Sequence, residues 1–81
     1  MKQMRDCDEC VRLWHEYSVA TSEYIRLDNK LGIAALAHDD EAVSILAPDV
    51  EAAVVRRAQG RDAIRKHEAA AHPQLSDAME A

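Results

Sequence analysis

Apolar and small side chains recur along the first half of the chain at spacings of three and four residues. This spacing is typical of one face of an amphipathic helix, and it predicts a helix over about residues 6–37. Asp6 or Asp8 is expected to cap its start, because a short carboxylate accepts the unpaired amides of a first helical turn. The apolar stripe comprises Cys10, Leu13, Trp14, Tyr17, Ala20, Thr21, Tyr24, Leu27, Leu31, Ala34 and Ala35.

Two aspartates mark the end of this helix and the start of the next. Asp39 and Asp40 are poor helix formers but good N-caps, so the sequence predicts a turn at about residues 38–40. Gly32 falls before the end of the apolar pattern. We therefore interpret it as a point of close contact between helices and not as a helix stop.

A second apolar pattern predicts another helix over about residues 41–72. Pro48 is its one interior defect, and a kink or a brief break is expected there because proline cannot donate the helical hydrogen bond. Pro73 ends the pattern, and residues 73–81 are expected to form a flexible tail. The buried side of this helix is predicted to contain Val43, Leu46, Val50, Ala53, Val54 and Ile64.

The predicted fold is all-α, a single domain over residues 1–81 in which two long helices form an antiparallel hairpin. A short turn between two helices of nearly equal length favours this arrangement. Composition agrees, because the chain has only two glycines, two prolines and no phenylalanine, and aromatic residues make up 4% of it.

A lone hairpin of this size has only one seam in which to bury apolar surface. Chains this short usually need oligomerisation, a metal or another staple. We therefore predict a homodimer in which two hairpins form a coiled-coil-like four-helix bundle, with a helix from a different protein as another occupant of the same face. The predicted interface residues lie off the main stripe and are Val11, Ile25, Leu36, Ile45 and Val55.

The net charge of −5 argues against nucleic acid as a partner, because phosphate binding needs a basic surface. No apolar run is long enough to span a bilayer or to act as a secretion signal. The sequence thus predicts a cytoplasmic protein without a membrane partner. In such a reducing compartment Cys7 and Cys10 are expected to be thiols or metal ligands and not a structural disulfide.

A hairpin that folds at about residue 39 brings Cys7 and Cys10 close to His67 and His72. Two cysteines and two histidines are a ligand set that structural zinc prefers, so a zinc site is one hypothesis, and no other cofactor is predicted. Residues five apart differ by about 140° on a regular helix, so the last turn before Pro73 would have to loosen for both histidines to face the site.

Three other interpretations of the cysteines stay open at this point. The thiols of Cys7 and Cys10 can simply pack as small apolar groups, or they can form a reversible disulfide at a helix start. Two C-x-x-C pairs from two chains can also build a four-cysteine metal site, provided that the dimer brings equal ends together.

No motif indicates catalysis. The stretch HEAAAH at residues 67–72 has one residue too many for the H-E-x-x-H motif of zinc proteases, and no glycine-rich phosphate loop occurs. The main interpretation is therefore a non-catalytic, self-associating helical protein that acts through protein–protein contacts. The alternative is a small zinc-binding or thiol-redox module.

The run CDECVRLWHEYSVATSEY, from Cys7 to Tyr24, resembles a pattern found in short uncharacterised bacterial helical proteins. The resemblance covers mainly residues 7–35. It implies a helical hairpin and no activity, and no functional residue is inferred from it.

Overall fold

The computed structural model describes residues 7–72, which form two α-helices: α1 spans Asp8–Leu36 and α2 spans Asp40–Ala71. The helices pack side by side and antiparallel, as shown by the contact of Tyr17 with Gly60 and the ion pair of Glu23 with Arg56. The predicted all-α hairpin is thus confirmed over the described residues. Asp6 and the predicted tail at 73–81 lie outside them.

The seam between the helices follows a seven-residue repeat, whose positions we denote a to g. In α1 the a position falls at Cys10 and the d position at Leu13, and residues at seven-residue intervals from these two face α2. Because the repeat of 3.5 residues keeps one stripe in register along the helix, the core is long and narrow. The buried apolar residues are Cys10, Leu13, Leu27, Ala34, Ala53 and Ile64.

Gly60 lies in close contact with the other helix, and the prediction that Gly32 marks such a contact was wrong. A Cβ atom added to Gly60 would lie 3.4 Å from the Cα atom of Tyr17, whereas one added to Gly32 would meet nothing within 4 Å. Gly60 occupies a d position that faces α1. Gly32 lies at an exposed b position, so its lack of a side chain brings no neighbour closer.

Cys7 caps α1, and the prediction that Asp8 could do so was wrong. The backbone N–H of Cys10 donates to Sγ of Cys7 at 3.4 Å, which satisfies one of the free amides of the first turn. Asp8 instead lies within that turn, where its charge favours the positive end of the helix dipole.

The hairpin tip is a helix stop followed at once by a new N-cap. His38 has a left-handed backbone (φ 56°), and the N–H groups of His38 and Asp39 donate to the carbonyls of Ala35 and Ala34. These two bonds constitute a Schellman motif with histidine where glycine is usual. Asp39 then caps α2 through a 3.1 Å bond from the N–H of Ala42, as the sequence predicted.

Pro48 lies inside α2 without breaking it, so the brief break that was one of the two expected outcomes is wrong. The helix continues from Asp40 to Ala71, and Pro48 is exposed. An exposed proline costs a helical hydrogen bond but directs its ring toward water, while Leu46 and Val50 on either side keep contact with the seam.

Candidate metal centre

Four potential metal ligands meet at the open end of the hairpin, where α1 begins and α2 ends. They are Cys7, Cys10, His67 and His72, which we call the Cys–His cluster, and one ligand atom of each lies within 4.8 Å of all the others. Sγ of Cys7 is 3.3 Å from Nε2 of His67, and Sγ of Cys10 is 3.3 Å from Nε2 of His72. The residues that the sequence placed together are therefore together in the structure.

The spacing of these atoms suits a tetrahedral metal. With Zn–S bonds of about 2.3 Å and Zn–N bonds of about 2.0–2.1 Å, the edges of a tetrahedral site measure about 3.3–3.8 Å. Two of the four sulfur–nitrogen pairs in the cluster are 3.3 Å apart, and any wider pair, within the limit of 4.8 Å, must approach by at most about 1.0–1.5 Å. Small side-chain rotations bridge a difference of that size.

His72 reaches the cluster because it has left the helix. Its backbone (φ −138°, ψ 63°) is not helical, although its N–H still donates to the carbonyl of Glu68 at 2.8 Å. On a regular helix His67 and His72 would point about 140° apart. The two rings instead lie at a centroid distance of 5.2 Å, although α2 stays helical through Ala71 and only His72, and not the whole last turn, departs from helical geometry.

The environment of Cys7 favours its thiolate form, the form that binds metals. The ring of His72 contributes most to lowering the pKa of Cys7 from 9.0 to about 6, followed by the backbone N–H and thiol of Cys10 and then by His67. Each of these groups can donate a hydrogen bond to a negatively charged sulfur.

The pKa of Cys10 shifts in the opposite direction. Burial raises the pKa of Cys10 from 9.0 to about 11, and the nearby charges of Cys7, Glu68 and Glu9 add to this effect. The side chain is only 2% exposed. Without a cation in the cluster, the surroundings therefore favour a thiolate at Cys7 and a neutral thiol at Cys10. A bound cation would supply the positive charge needed to ionise Cys10 as well.

The ends of the two helices complement this charge arrangement. The start of α1 places the positive end of a helix dipole beside Cys7, which favours an anionic sulfur. The end of α2 places a negative end beside His72, and its last turn contains no basic residue. A cation between the two sulfurs and the end of α2 would thus meet favourable charge on both sides.

Pairing the helices from the turn places Glu68 beside Cys10, but sequence reasoning did not predict that its side chain is buried there. Its side chain is 2% exposed, and it is the only buried charged residue in the described part of the chain. Its Oε2 atom is buried and has no hydrogen-bond partner among the described residues. The seven-residue repeat contained a signal, because Glu68 lies at an e position directly beside the seam.

A second feature is an apolar surface along the hairpin. The five predicted interface residues are all exposed, from 51% for Val11 and Ile25 to 84% for Leu36. The repeat places Val11 and Ile25 on one line of α1, at b positions, next to the e position of Trp14. Leu36, Ile45 and Val55 lie at f, c and f positions, which point away from the seam. Neither described helix carries an apolar stretch long enough to cross a membrane.

Fold and site together define a helical hairpin with a two-cysteine, two-histidine cluster that is compatible with a metal ion. No protein-family model, curated protein or solved structure gives a significant match to this chain. The resemblance of residues 7–35 to short bacterial helical proteins accordingly stays a prediction.

Proposed function

We propose that this protein is a structural zinc-binding module in which the metal fastens the open end of the hairpin. The observation that carries the proposal is the Cys–His cluster, whose four ligand atoms lie within 4.8 Å of one another. The turn ties the other end of the hairpin covalently, so a metal at the open end would fix the remaining pair of helix termini. Metal affinity would then contribute directly to folding stability.

The ligand set favours a structural role over a catalytic one. Two thiolates and two imidazoles complete a tetrahedral coordination shell, whereas catalytic zinc sites keep one position for water or substrate. Thiolate ligands also select zinc over calcium or magnesium, which prefer oxygen. The proposed module is therefore non-catalytic, and its four protein ligands leave no open coordination position at the metal.

The first experiment measures zinc bound to untagged, purified protein by elemental analysis, together with thermal unfolding with and without a chelator. We expect about one zinc ion per chain and a melting temperature that falls by at least about 10 °C on chelation, since a kilocalorie shifts the midpoint of a small domain by several degrees. The proposal would be overturned if the protein held no stoichiometric zinc after zinc loading and its melting temperature did not change on addition of chelator.

The chain offers its own matched control for the ligand assignment, since it has four histidines. His67→Gln and His72→Gln are expected to weaken zinc binding strongly in a competition titration with a chromophoric chelator. His15→Gln and His38→Gln change exposed residues outside the cluster and are expected to bind zinc as the wild type does. Equal affinities in all four variants would exclude these ligands.

A second candidate function, self-association, is favoured by the exposed apolar side chains. Trp14 is 41% exposed, Ile25 51% and Val54 47%, and these three lie on the same side of the hairpin as Val11. In an antiparallel pair the e positions of both helices flank one side of the seam, and Trp14 and Val54 are e residues. A second copy could bury this side and complete a four-helix bundle.

The zinc site and the dimer are independent, because the cluster is at one end and the apolar side runs along the helices. Sedimentation equilibrium at micromolar concentration should give the mass of a dimer. Ile25→Gln is expected to weaken it, while Ile33→Gln removes an equally large side chain that is 67% exposed on the opposite side. A monomeric wild type would contradict self-association. If Ile25→Gln and Ile33→Gln weakened the dimer equally, the interface would not lie on the side that contains Ile25.

A further inference from the structure

Glu68 is a buried carboxylate next to the proposed metal centre and is not one of its four proposed ligands. It is the largest fully buried side chain among the described residues, larger than Cys10. Burying a carboxylate is costly unless it meets a cation or hydrogen-bond donors. One of its oxygens, Oε2, is buried and receives no hydrogen bond from residues 7–72, so this part of the chain contains an acceptor without a donor next to Cys10.

The position of Glu68 relates it to His72 more closely than to His67. Residues four apart lie on the same side of a helix and their side chains meet, whereas neighbours in sequence do not face each other. Glu68 and His72 are four apart, and the backbone N–H of His72 still donates to the carbonyl of Glu68 at 2.8 Å. The loosened end of α2 thus keeps this pair in helical register while it turns the imidazole toward Cys10.

The two histidines face the sulfur atoms with Nε2, at 3.3 Å in each case. Coordination through Nε2 leaves Nδ1 of each ring as an N–H donor, and ligating histidines nearly always donate that group to a carboxylate, a carbonyl or water. The buried Oε2 of Glu68 is an acceptor of the required type, on a residue whose carbonyl already accepts the backbone N–H of His72.

We propose that Glu68 is the positioning residue of the metal centre, and that its carboxylate accepts a hydrogen bond from Nδ1–H of His72 when the metal is bound. This inference rests on the proposed function. Glu68 does not belong to the group of residues whose ligand atoms lie mutually within 4.8 Å, so we assign it to the surroundings of the metal and not to the ligands. Its charge would fix the imidazole tautomer and strengthen the nitrogen as a ligand.

The test compares Glu68→Gln and Glu68→Ala with a matched control, Glu51→Gln, which removes the same charge from an exposed position of α2. Zinc affinity is measured by competition with a chromophoric chelator. Loss of such an outer partner typically weakens metal binding about 10- to 100-fold. We expect the zinc affinity of Glu68→Ala to be lower by a factor in that range. Glu68→Gln retains an acceptor oxygen, so its affinity is expected to lie between those of Glu68→Ala and Glu51→Gln.

A spectroscopic readout separates positioning from a purely structural contribution. Long-range proton–nitrogen spectra of the zinc-loaded protein report the tautomer of His72 and the shift of its Nδ1 proton. We expect a strongly downfield Nδ1 proton in the wild type and in Glu51→Gln, and an upfield shift in Glu68→Gln. Circular dichroism establishes that the variants remain helical, and Glu68→Gln serves alone if Glu68→Ala does not fold.

Two distinct results would overturn the inference. If the wild type binds zinc and Glu68→Gln matches Glu51→Gln in affinity and in the Nδ1 proton shift of His72, the assignment of Glu68 is wrong and the zinc module stands. If the wild type does not bind zinc, the proposed function itself fails, and the role of Glu68 fails with it.

Discussion

Cys7 and Cys10 belong to one C-x-x-C motif, yet their thiols have opposite chemistry. Cys7 caps the start of α1, and the ring of His72 and the backbone N–H of Cys10 contribute most to lowering its pKa to about 6. Cys10 is one turn further on, at an a position inside the seam, where burial raises its pKa to about 11. Three residues of helix therefore separate a site that favours an anion from one that disfavours it.

This difference predicts unequal reactivity in metal-free protein. At pH 7.5 Cys7 should react with iodoacetamide about tenfold faster than Cys10 or more, because its thiolate fraction is far higher, although a low-pKa thiolate is intrinsically a weaker nucleophile. Peptide mass spectrometry measures both rates. The rate at Cys7 should fall as the pH is lowered through about 6. Faster labelling of Cys10, or a Cys7 midpoint near its ordinary 9.0, would contradict the assignment.

The lowered pKa of Cys7 also has a consequence for stability. A group whose pKa is lower in the folded state stabilises that state fully above its unfolded pKa, here 9.0, and this contribution is lost as the pH falls through about 6. The raised pKa of Cys10 acts in the other direction, because its neutral thiol becomes unfavourable relative to the unfolded chain above 9.0. Metal-free protein should thus gain stability from Cys7 between these pH values and lose it from Cys10 at higher pH.

At the scale of the helices, the two glycines have different roles that the sequence alone did not distinguish. Gly32→Ala should raise the free energy of unfolding by about 1 kcal/mol, because alanine is the better helix former and the added methyl meets nothing. Gly60→Val should lower it, because the Cβ position is already 3.4 Å from the backbone of Tyr17 and a branched side chain needs more room.

Urea denaturation measures both changes, with the wild type as reference. The informative result is the sign of the change in the free energy of unfolding. Both substitutions add a side chain to a helical glycine of the same hairpin, so opposite signs reflect the different surroundings of the two glycines. A loss of stability in Gly32→Ala, or a gain in Gly60→Val, would contradict the placement of the close contact at Gly60.

Arg57 shows how a polar residue can occupy the repeat without being buried. It lies at an a position of α2, and its guanidinium group lies over the rings of Tyr17 at 6.0 Å and Tyr24 at 5.7 Å from the centroids. The side chain stays exposed and the aromatic rings cover part of the seam. The charge is thus accommodated by the tyrosine faces of α1 and not by an ion pair within the core.

At the scale of the whole molecule, the hairpin is covalently closed at its tip and closed at the other end only by side chains. If the proposed zinc ion is bound, its removal is expected to increase hydrogen exchange at residues 7–13 and 64–72 and to leave the amides around residues 34–42 nearly unchanged. Mass spectrometry of exchange with and without chelator measures this. An equal loss of protection at both ends would contradict a metal that fastens the open end alone.

The fold was largely predictable because its information is local and periodic. The spacing of three and four residues from Cys10 to Ala34 indicates a helix with one buried stripe, and Asp39 marks the next start. The cluster was predictable for a related reason. Once the turn is placed, antiparallel packing pairs the start of α1 with the end of α2, and this brings Cys7 and Cys10 to the two histidines.

What the sequence could not decide are features that depend on both helices at once. The close contact at Gly60 follows from which glycine faces the other helix, and the uninterrupted course of α2 through Pro48 follows from packing on both sides of an exposed ring. Local propensity favoured other answers at both positions, and tertiary contacts outweighed it.

The sequence by itself determined two helices, the turn between them and the meeting of cysteines with histidines, because periodicity and capping act over a few residues. The structure showed that Cys7 caps α1, which is a local contact with the N–H of Cys10. Only the tertiary structure decided that His72 leaves the helix to face Cys10, and that Glu68 is buried with an oxygen that has no partner among residues 7–72. These two features depend on distances of a few ångströms across the seam. Linear spacing does not determine such distances, because they result from how the side chains of both helices fill the same space.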